Sequence, residues 1–486
     1  MPKQKSLLKE AKAKQTKRQQ EPETAVEFLV AGVEQEEGGE KWRAGDAVKA
    51  MRFFMRAIEI YDNGLDKYPG SFDLAYNKAR VQYEITQHPK LASQLPAPLA
   101  KILHIALQSH REALRLQQDS EDALFNMAQV LTSLAEAKTG SKRPSEEQTQ
   151  EALGYLREAL ELFQRCLVLQ ELRYTESQEQ VERLEGDAGS RMEEPEGLSS
   201  QSQPNEEWAT VVEPVTKSTL VDTAVAQLEA LATLCGLLTG DSGSGLAWVE
   251  EYSSDLLKTR IAAYVEGTDR QHEVSLARAK FWSALTEVLY RTGRIDIETY
   301  KREINGAFGP DLDLANDPEG LCSKAETLMS FNSAAGDVAS SGEFSGTSVL
   351  RWQALSSALD ALSTASKLAT AEDVPKIHLA RGDVEMCRWR LGHPPWNHQV
   401  SQESSSTLLQ NAQTYYRGAA AIAQRNGAAE EERDGSCKEA FAAALGGDRD
   451  KLGKLRSVAG NDVLKAAEDM VEEGLVSSFD IGALLS

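Results

Sequence analysis

The fold is decided by residues 57–69, AIEIYDNGLDKYP, and by residues 106–118, ALQSHREALRLQQ, which carry the same pattern 49 positions apart. In the first stretch Ala57, Tyr61 and Gly64 follow one another at spacings of four and three. These spacings place the three side chains on one stripe of a helix, and the small members allow a neighbouring helix to approach closely. The stretch therefore predicts a helix that is packed along this stripe.

A second helical segment follows each copy after a polar loop. Residues 73–79 read DLAYNKA and residues 122–128 read DALFNMA, so an Asp, an aromatic residue, an Asn and an Ala share one register. A two-helix unit that recurs cannot bury its apolar face alone, and we expect its copies to stack into a solenoid. Such arrays usually bind other macromolecules and rarely carry out chemistry.

The remaining sequence predicts an all-α protein with irregular repeats, because β-branched runs are nearly absent. A third stripe, at Ala152, Leu156 and Ala159, continues the repeats into a helix that is expected to end near Tyr174. Gly38 and Gly39 are expected to interrupt the first helix. We divide the chain into a basic disordered arm (1–22), helical repeats (23–174), an acidic disordered linker or insertion (175–219), degenerate repeats (220–426), and short C-terminal helices with a cap (427–486).

The charge of the chain is acidic but uneven. The net charge is −22 and the pI is near 4.9, which argues against a nucleic-acid footprint over the whole body. Residues 1–18 nevertheless hold seven basic residues and only Glu10 as an acid. This arm is a solvated tail, a nuclear-import signal or a nonspecific nucleic-acid contact, and the sequence leaves the three open. An acidic body suits a basic client protein.

Cysteine usage and hydropathy predict the compartment. The five cysteines lie far apart and form no C-x-x-C pair, which is typical of a reducing environment. No apolar run approaches the roughly 18 residues of a membrane span, and the first residues lack the apolar core of a signal peptide. We expect a cytoplasmic or nuclear protein, or one present in both compartments, that has no membrane association.

The sequence contains no convincing motif for catalysis or metal binding. The glycines of residues 240–245 follow a helix rather than a strand, and no Gly-Lys-Ser/Thr comes after them. His393 and His398 flank two prolines in a turn, and the other histidines form no metal-binding spacing. We therefore expect no catalytic residue, cofactor, metal or small-molecule substrate, and no enzymatic activity.

The helix stripes, Pro69 at the helix end, and the matched segments 76–79 and 125–128 resemble the tetratricopeptide repeat (TPR) family. The chain also resembles fungal TPR-domain proteins of unassigned role. The resemblance covers residues 45–170 well and residues 220–425 in degenerate form. A simple TPR unit has about 34 residues. The longer period here is explained by Gln87–Pro98, which is expected to form an inserted loop or a short extra helix.

Two departures from the TPR pattern are visible. Gln118 stands where the loop proline is expected, and Ala75 and Leu124 replace the usual first-helix tryptophan. Another helical array therefore remains an alternative to a TPR domain.

The TPR resemblance implies a concave groove that binds a segment of another protein. Asn77 and Asn126 occupy the position at which TPR proteins often bind a ligand backbone, although they equally suit hydrogen bonds between adjacent helices. One turn earlier stand Asp73 and Asp122, whose charge would repel the ligand carboxylate that one TPR subfamily clamps. The candidate groove residues are Asp73, Tyr76, Asn77, Asp122, Phe125 and Asn126.

These features predict a noncatalytic protein-binding scaffold or adaptor, with an acidic escort or assembly chaperone of a basic client protein as its specific form. The alternative is a constitutive structural subunit of a larger intracellular complex. An enzyme whose site the sequence hides is a third reading, which a cleft gathering titratable groups of shifted pKa would favour.

Overall fold

The computed structural model describes residues 21–140, 144–188, 214–238, 244–340 and 342–486. These ranges contain helices, turns and loops, and no β-strand is present within them. The predicted basic arm lies outside the described residues except for its last two positions, and so does the central part of the predicted acidic linker, residues 189–213.

The helices are numbered in chain order over the described residues. The first eight are α1 (Ala25–Arg43), α2 (Ala47–Lys67), α3 (Phe72–Gln87), α4 (Pro89–Ala92), α5 (Leu99–Leu116), α6 (Glu121–Thr139), α7 (Glu146–Ala188) and α8 (Lys217–Leu237). The middle group is α9 (Ser244–Asp255), a π-helical turn (Leu256–Arg260), α10 (Ile261–Val265), α11 (Gln271–Arg291), α12 (Ile297–Ala307), α13 (Pro318–Val338) and α14 (Phe344–Ala365). The last group is α15 (Val374–Arg390), α16 (Gln399–Glu403), α17 (Ser405–Asn426), α18 (Ala429–Leu445), α19 (Asp450–Val458), α20 (Gly460–Glu472) and α21 (Ser478–Leu485).

The chain divides into two compact units. Unit 1 comprises Met1–Leu231 and Tyr252–Arg270, and unit 2 comprises Ala232–Glu251 and Gln271–Ser486. Within unit 1, α1 packs on α2, α2 on α3, α3 on α5, α5 on α6 and α6 on α7. Within unit 2 the same order of neighbours runs from α13 through α14, α15 and α17 to α18. Packing between successive helices is what defines a helical repeat, so the predicted all-α helical-repeat fold is confirmed.

The predicted stripe of α2 is buried as expected. Ala57 and Tyr61 are inaccessible to solvent, and Gly64 lies where α2 approaches both of its neighbours. A methyl group on Gly64 would lie 2.9 Å from atoms of both Phe28 in α1 and Leu74 in α3. The equivalent stripes of α5, α7 and α17 are buried in the same way: Ala106, His110 and Ala113; Ala152, Leu156 and Ala159; Ala412, Tyr416 and Ala419.

The predicted interruption at Gly38 and Gly39 is wrong, because α1 continues through both residues to Arg43. The two glycines instead make room for aromatic rings of α2. A methyl group on Gly38 would lie 2.7 Å from the Phe53 ring, and one on Gly39 would lie 2.8 Å from the Phe54 ring. Glycine weakens a helix by about 1 kcal/mol relative to alanine, and here the close packing of the rings offsets that cost.

Two further boundaries are settled by the structure. The proline-rich insertion contains a single helical turn, α4, so the short extra helix is the alternative that occurs. Helix α7 does not end near Tyr174 but extends to Ala188, into the region expected to be a linker. Its last turns have few apolar residues, and Ser, Gln and Glu give helix propensity without the stripe that the prediction relied on.

Helix α8 is more apolar than the sequence analysis allowed. Among the described helices it is the one that is long and apolar enough to cross a membrane by length and composition, with a mean hydropathy of 1.4 over its most apolar window. Since 61% of that window is buried inside the protein, α8 has the burial of a core helix.

Candidate partner-binding groove

Asn77 and Asn126, the paired asparagines of the repeat, both use their side-chain amides inside the fold. The amide of Asn77 donates to the carbonyl of Asp73 in its own helix at 2.8 Å. The amide of Asn126 in α6 donates to the hydroxyl of Tyr76 in α3 at 2.9 Å. The second bond joins corresponding helices of successive repeats, so Asn126 at least has the interhelical role that the sequence left open.

The aromatic residues of the two segments differ in their surroundings. Tyr76 stacks on Phe72 of the same helix, with ring centroids 5.7 Å apart. Phe125 packs edge-on against Phe163 of α7, at 5.6 Å. The structure therefore brings Tyr76 and Asn126 together. Phe125 contributes to the packing of α6 on α7.

The carboxylates predicted to give the groove its sign are exposed to solvent. Partial burial raises the pKa of Asp73 above its usual value. Burial of the Tyr76 hydroxyl raises its pKa strongly, and the nearby charge of Asp122 raises it further. The charge of Arg80 acts in the opposite direction, so the negative sign of this surface stays a prediction of the sequence.

Glu136, a residue that the sequence analysis missed, extends this acidic surface. Glu136 lies near the end of α6 and is exposed, yet desolvation and the neighbouring charge of Glu229 in α8 raise its pKa. Tyr83 of α3 bonds to Ser133 of α6 at 3.1 Å, and burial raises the pKa of Tyr83 to about 12. The spacing of 122, 126, 133 and 136 on one face of α6 is the signal that could have identified these positions.

We call this surface the acidic groove and define it by the carboxylates of Asp73, Asp122, Glu136 and Glu229 together with the hydroxyl of Tyr76. Glu136 remains accessible to water although surrounding protein desolvates it. The four carboxylates belong to three helices, α3, α6 and α8.

A buried ionic network lies behind the groove. Arg80 of α3 pairs with Glu36 of α1 and, at 3.0 Å, with Glu84 one turn along its own helix. The hydroxyl of Tyr61, the stripe residue of α2, donates to the same Glu36. Burial and the adjacent carboxyl of Glu40 raise the pKa of Glu84 to about 7. Each charge in this network is paired with an opposite charge, and the network joins α1, α2 and α3. The electrostatic potential outside the protein therefore depends on the groove carboxylates.

Unit 2 contains the same arrangement of tyrosine, carboxylate and cation. Tyr416, the stripe residue of α17, donates to Asp383 of α15 at 2.8 Å. Lys438 of α18 donates to Asp383 at 3.0 Å and to Glu473 at 3.2 Å. Burial alone would lower the pKa of Lys438, but these two carboxylates raise it above its usual value. In unit 1, Arg80 of α3 neutralises the carboxylate that Tyr61 binds. In unit 2, Lys438 of α18 does the same for the carboxylate that Tyr416 binds.

The ring of Tyr416 lies directly on Gly382, and we expect Gly382→Ala to destabilise unit 2 by about 1–3 kcal/mol. A methyl group there would lie 2.3 Å from the buried ring. Gly418→Ala in α17 is the matched control, because its nearest neighbour would be 3.8 Å away. That variant should gain about 0.5–1 kcal/mol from helix propensity. Urea unfolding of both variants measures the difference, and equal stabilities would show that the close contact is unimportant.

Two of the buried ion pairs serve the packing of the helices. Arg80 with Glu36, and Lys438 with Asp383, are mutually paired within the helix packing. In the part of the chain that the structure describes, no group of three or more His, Cys, Asp and Glu residues could hold a metal ion. The turn from His393 to His398 belongs to that part, whereas residues 239–243 of the glycine-rich loop lie outside it.

The chain is similar to two fungal proteins whose names assign no function. No family model matches the chain, so membership of the TPR family specifically is not shown. The chain is 34% identical over 130 residues to the "UPF0656 protein C926.02" of Schizosaccharomyces pombe, a match that covers 27% of this chain and 28% of the relative. It is 32% identical over 66 residues to the "Uncharacterized protein YNL193W" of Saccharomyces cerevisiae, covering 13% of this chain and 12% of that one.

Among solved structures, a "Circular tandem repeat protein with novel repeat topology and enhanced subunit contact surfaces" aligns with 93% of this chain and 99% of its own. The sequence identity is 14% and the TM-score is 0.30. The chain spans less than a third of the length of the curated relatives it matches. The helical-repeat fold rests on the helix packing described above, and the similarity to the two fungal proteins covers only part of the chain.

Proposed function

We propose that the protein is a noncatalytic scaffold or adaptor whose acidic groove binds a basic segment of a client protein, in the manner of an escort or assembly chaperone. The observation that carries the proposal is Glu136, which is exposed yet partly desolvated and lies near a second carboxylate, Glu229. The charge of Glu229 raises the pKa of Glu136, and a cation placed near Glu136 would oppose this effect. A lysine or arginine side chain of a client would supply that cation.

Electrostatic attraction of this kind predicts binding that weakens with salt and with mild acid. Added salt screens charges that are exposed to solvent. Because the pKa of Glu136 is raised, this carboxylate loses its charge at a higher pH than a fully hydrated glutamate does. Client binding should therefore weaken as the pH falls towards the pKa of Glu136, before exposed carboxylates elsewhere are protonated.

Neutralising the groove should release the client. We expect Asp122→Asn with Glu136→Gln to reduce the basic proteins retained by the full chain in low salt by about ten-fold, as two charge contacts are lost. The matched control is Glu59→Gln with Asp66→Asn, which changes the net charge equally at two exposed positions of α2. Affinity purification with quantitative mass spectrometry measures retention. Equal losses in both variants would show that only the overall charge attracts the client.

The alternative, a constitutive subunit of a larger complex, is favoured by apolar side chains exposed in the last helices. Val458 is 88% exposed and Phe479 is 83% exposed. In a permanent complex such side chains are buried by a neighbouring subunit. A purified chain that remains a monodisperse monomer without partners would argue against this alternative.

Residence in the cytoplasm or nucleus also stays a prediction. Localisation of a fluorescent fusion, with and without residues 1–22, tests it and the three readings of the basic arm.

A further inference from the structure

Unit 2 contains a cleft of about 900 Å³ that the acidic groove does not include. Helices α13 and α15 each pack against α14, and the cleft opens between them. Its apolar floor is formed by Cys322, Ala325, Met329, Leu362, Ile377 and Ala380. Residues 322, 325 and 329 follow one face of α13 over about 10 Å, the length of two helical turns.

The rim of this cleft is strongly acidic. Its carboxylates are Asp313, Asp317, Glu319, Glu326, Glu372 and Asp373. Lys376 is the single lysine or arginine among the lining residues and lies 3.4 Å from Asp373. Within the described residues, Glu326 and Glu372 form no ion pair. An apolar floor below a rim with this excess of negative charge is complementary to an amphipathic segment that carries cations.

The environment of Glu326 indicates that the rim surrounds a cleft and does not lie on a flat surface. Its side chain is exposed, yet burial raises its pKa, Lys280 opposes the rise, and Glu319 adds to it. The same burial, with the charge of Glu326, raises the pKa of the half-buried Cys322 thiol to about 11. Solvent thus reaches the cleft, but hydration within it is incomplete, and an apolar side chain placed there would gain free energy.

We propose that this cleft docks a short basic amphipathic helix of a partner protein. Apolar side chains at i, i+4 and i+7 of that helix would follow the two-turn floor, and flanking lysines or arginines would reach the rim carboxylates. The small, partly exposed side chain of Ala380 leaves room for a large apolar side chain. Met329 is unbranched and adapts to different ones. The site is independent of the acidic groove in unit 1 and of the function proposed for that groove.

A defined peptide tests the proposal on the full chain. The probe is a labelled synthetic helix with leucine at i, i+4 and i+7 and lysine on the opposite face, compared with a scrambled peptide of the same composition. Fluorescence anisotropy should show the patterned peptide binding at least about ten-fold more tightly than the scrambled one. Equal binding of the two peptides would overturn the proposal, because charge alone would then explain the affinity.

Cleft variants and a cysteine probe localise the binding. Glu326→Lys with Asp373→Lys should weaken the patterned peptide at least about ten-fold. Glu430→Lys with Glu468→Lys, at exposed positions outside the cleft, should leave binding nearly unchanged. The peptide should also slow alkylation of Cys322, since the other four cysteines are buried. Equal loss in both variants, or undiminished alkylation of Cys322 at saturating peptide, would contradict the proposal.

Two further experiments distinguish this cleft from the unit 1 groove and a partner helix from a second copy of the chain. Asp122→Asn with Glu136→Gln should not change the protection of Cys322, so failure of the unit 1 groove and failure of this cleft give different results. Light scattering over a range of concentrations tests whether a second copy of the chain occupies the cleft. If the chain self-associates and the Glu326→Lys, Asp373→Lys variant does not, the occupant of the cleft is a second copy of the chain and not a partner helix.

Discussion

We expect Lys438→Met to destabilise unit 2 by about 3–5 kcal/mol, the usual cost of removing one partner from a buried ion pair. The Lys438 side chain is 4% exposed and contacts Asp383 at 3.0 Å. Methionine fills similar space, so the loss reflects the uncompensated charge of Asp383 rather than a cavity. Hydrogen–deuterium exchange of the full chain should show faster exchange in α15, α17 and α18, and urea unfolding should give the free energy.

Two companion variants separate charge from packing. Lys438→Met combined with Asp383→Asn should recover at least about 1 kcal/mol, because the asparagine carries no charge and still accepts the Tyr416 hydroxyl. Lys465→Met, at an exposed position of α20, should change stability by less than about 0.5 kcal/mol. A double variant no more stable than the single one would show that the lysine matters for packing and not for its charge.

The second large effect concerns His110, the stripe residue of α5, which we expect to make the fold acid-sensitive. Burial, with the charge of Arg80, lowers the pKa of His110 from 6.5 to about 3. Between these values the unfolded chain binds a proton that the folded chain does not, so stability is lost as the pH falls through this window. The loss amounts to about 2 kcal/mol at pH 5 and at most about 5 kcal/mol below pH 3.

Replacing His110 with an apolar residue should remove this dependence. His110→Phe and His110→Leu match the residues at the same stripe position in α2 and α7, where a Tyr61 ring and Leu156 are buried. Neither ring nitrogen of His110 has a hydrogen-bond partner among the described residues, so both variants should also gain about 1–3 kcal/mol at pH 7.

Urea unfolding from pH 7 to pH 4 measures the difference between each variant and the original chain, and other titrating groups cancel in that difference. Curves that run parallel over the whole range would mean that His110 does not titrate as its burial requires.

The fold could be predicted because its signals are local. Ala57, Tyr61 and Gly64 lie within eight residues, and their spacing alone specifies a helix that packs closely on one side. Gly38 and Gly39 misled the prediction because their role depends on Phe53 and Phe54, rings that belong to the next helix. From the sequence alone, a glycine that ends a helix cannot be distinguished from one that makes room for an aromatic ring of a neighbouring helix.

The groove could be predicted only in part, for the same reason. The repeat identified Asp73 and Asp122 because they share one register, and the sign of their charge follows from sequence. Glu136 acquires its importance from Glu229, which lies in another repeat and meets it only after folding. Arg80 and Glu36 are also far apart in sequence, by 44 residues, so spacing could not show which charges are paired inside the fold and which would face a client.

Carboxyl footprinting of the complex captured from cells tests the central claim most directly. A carbodiimide couples an amine tag to accessible carboxylates, and mass spectrometry compares the labelling of each residue in the free and client-bound chain. Binding in the acidic groove predicts protection of Asp73, Asp122 and Glu136, with unchanged labelling of Glu59 and Asp66 on α2. Unprotected groove carboxylates in a stoichiometric complex, or protection confined to α2, would contradict the claim that this groove is the binding surface.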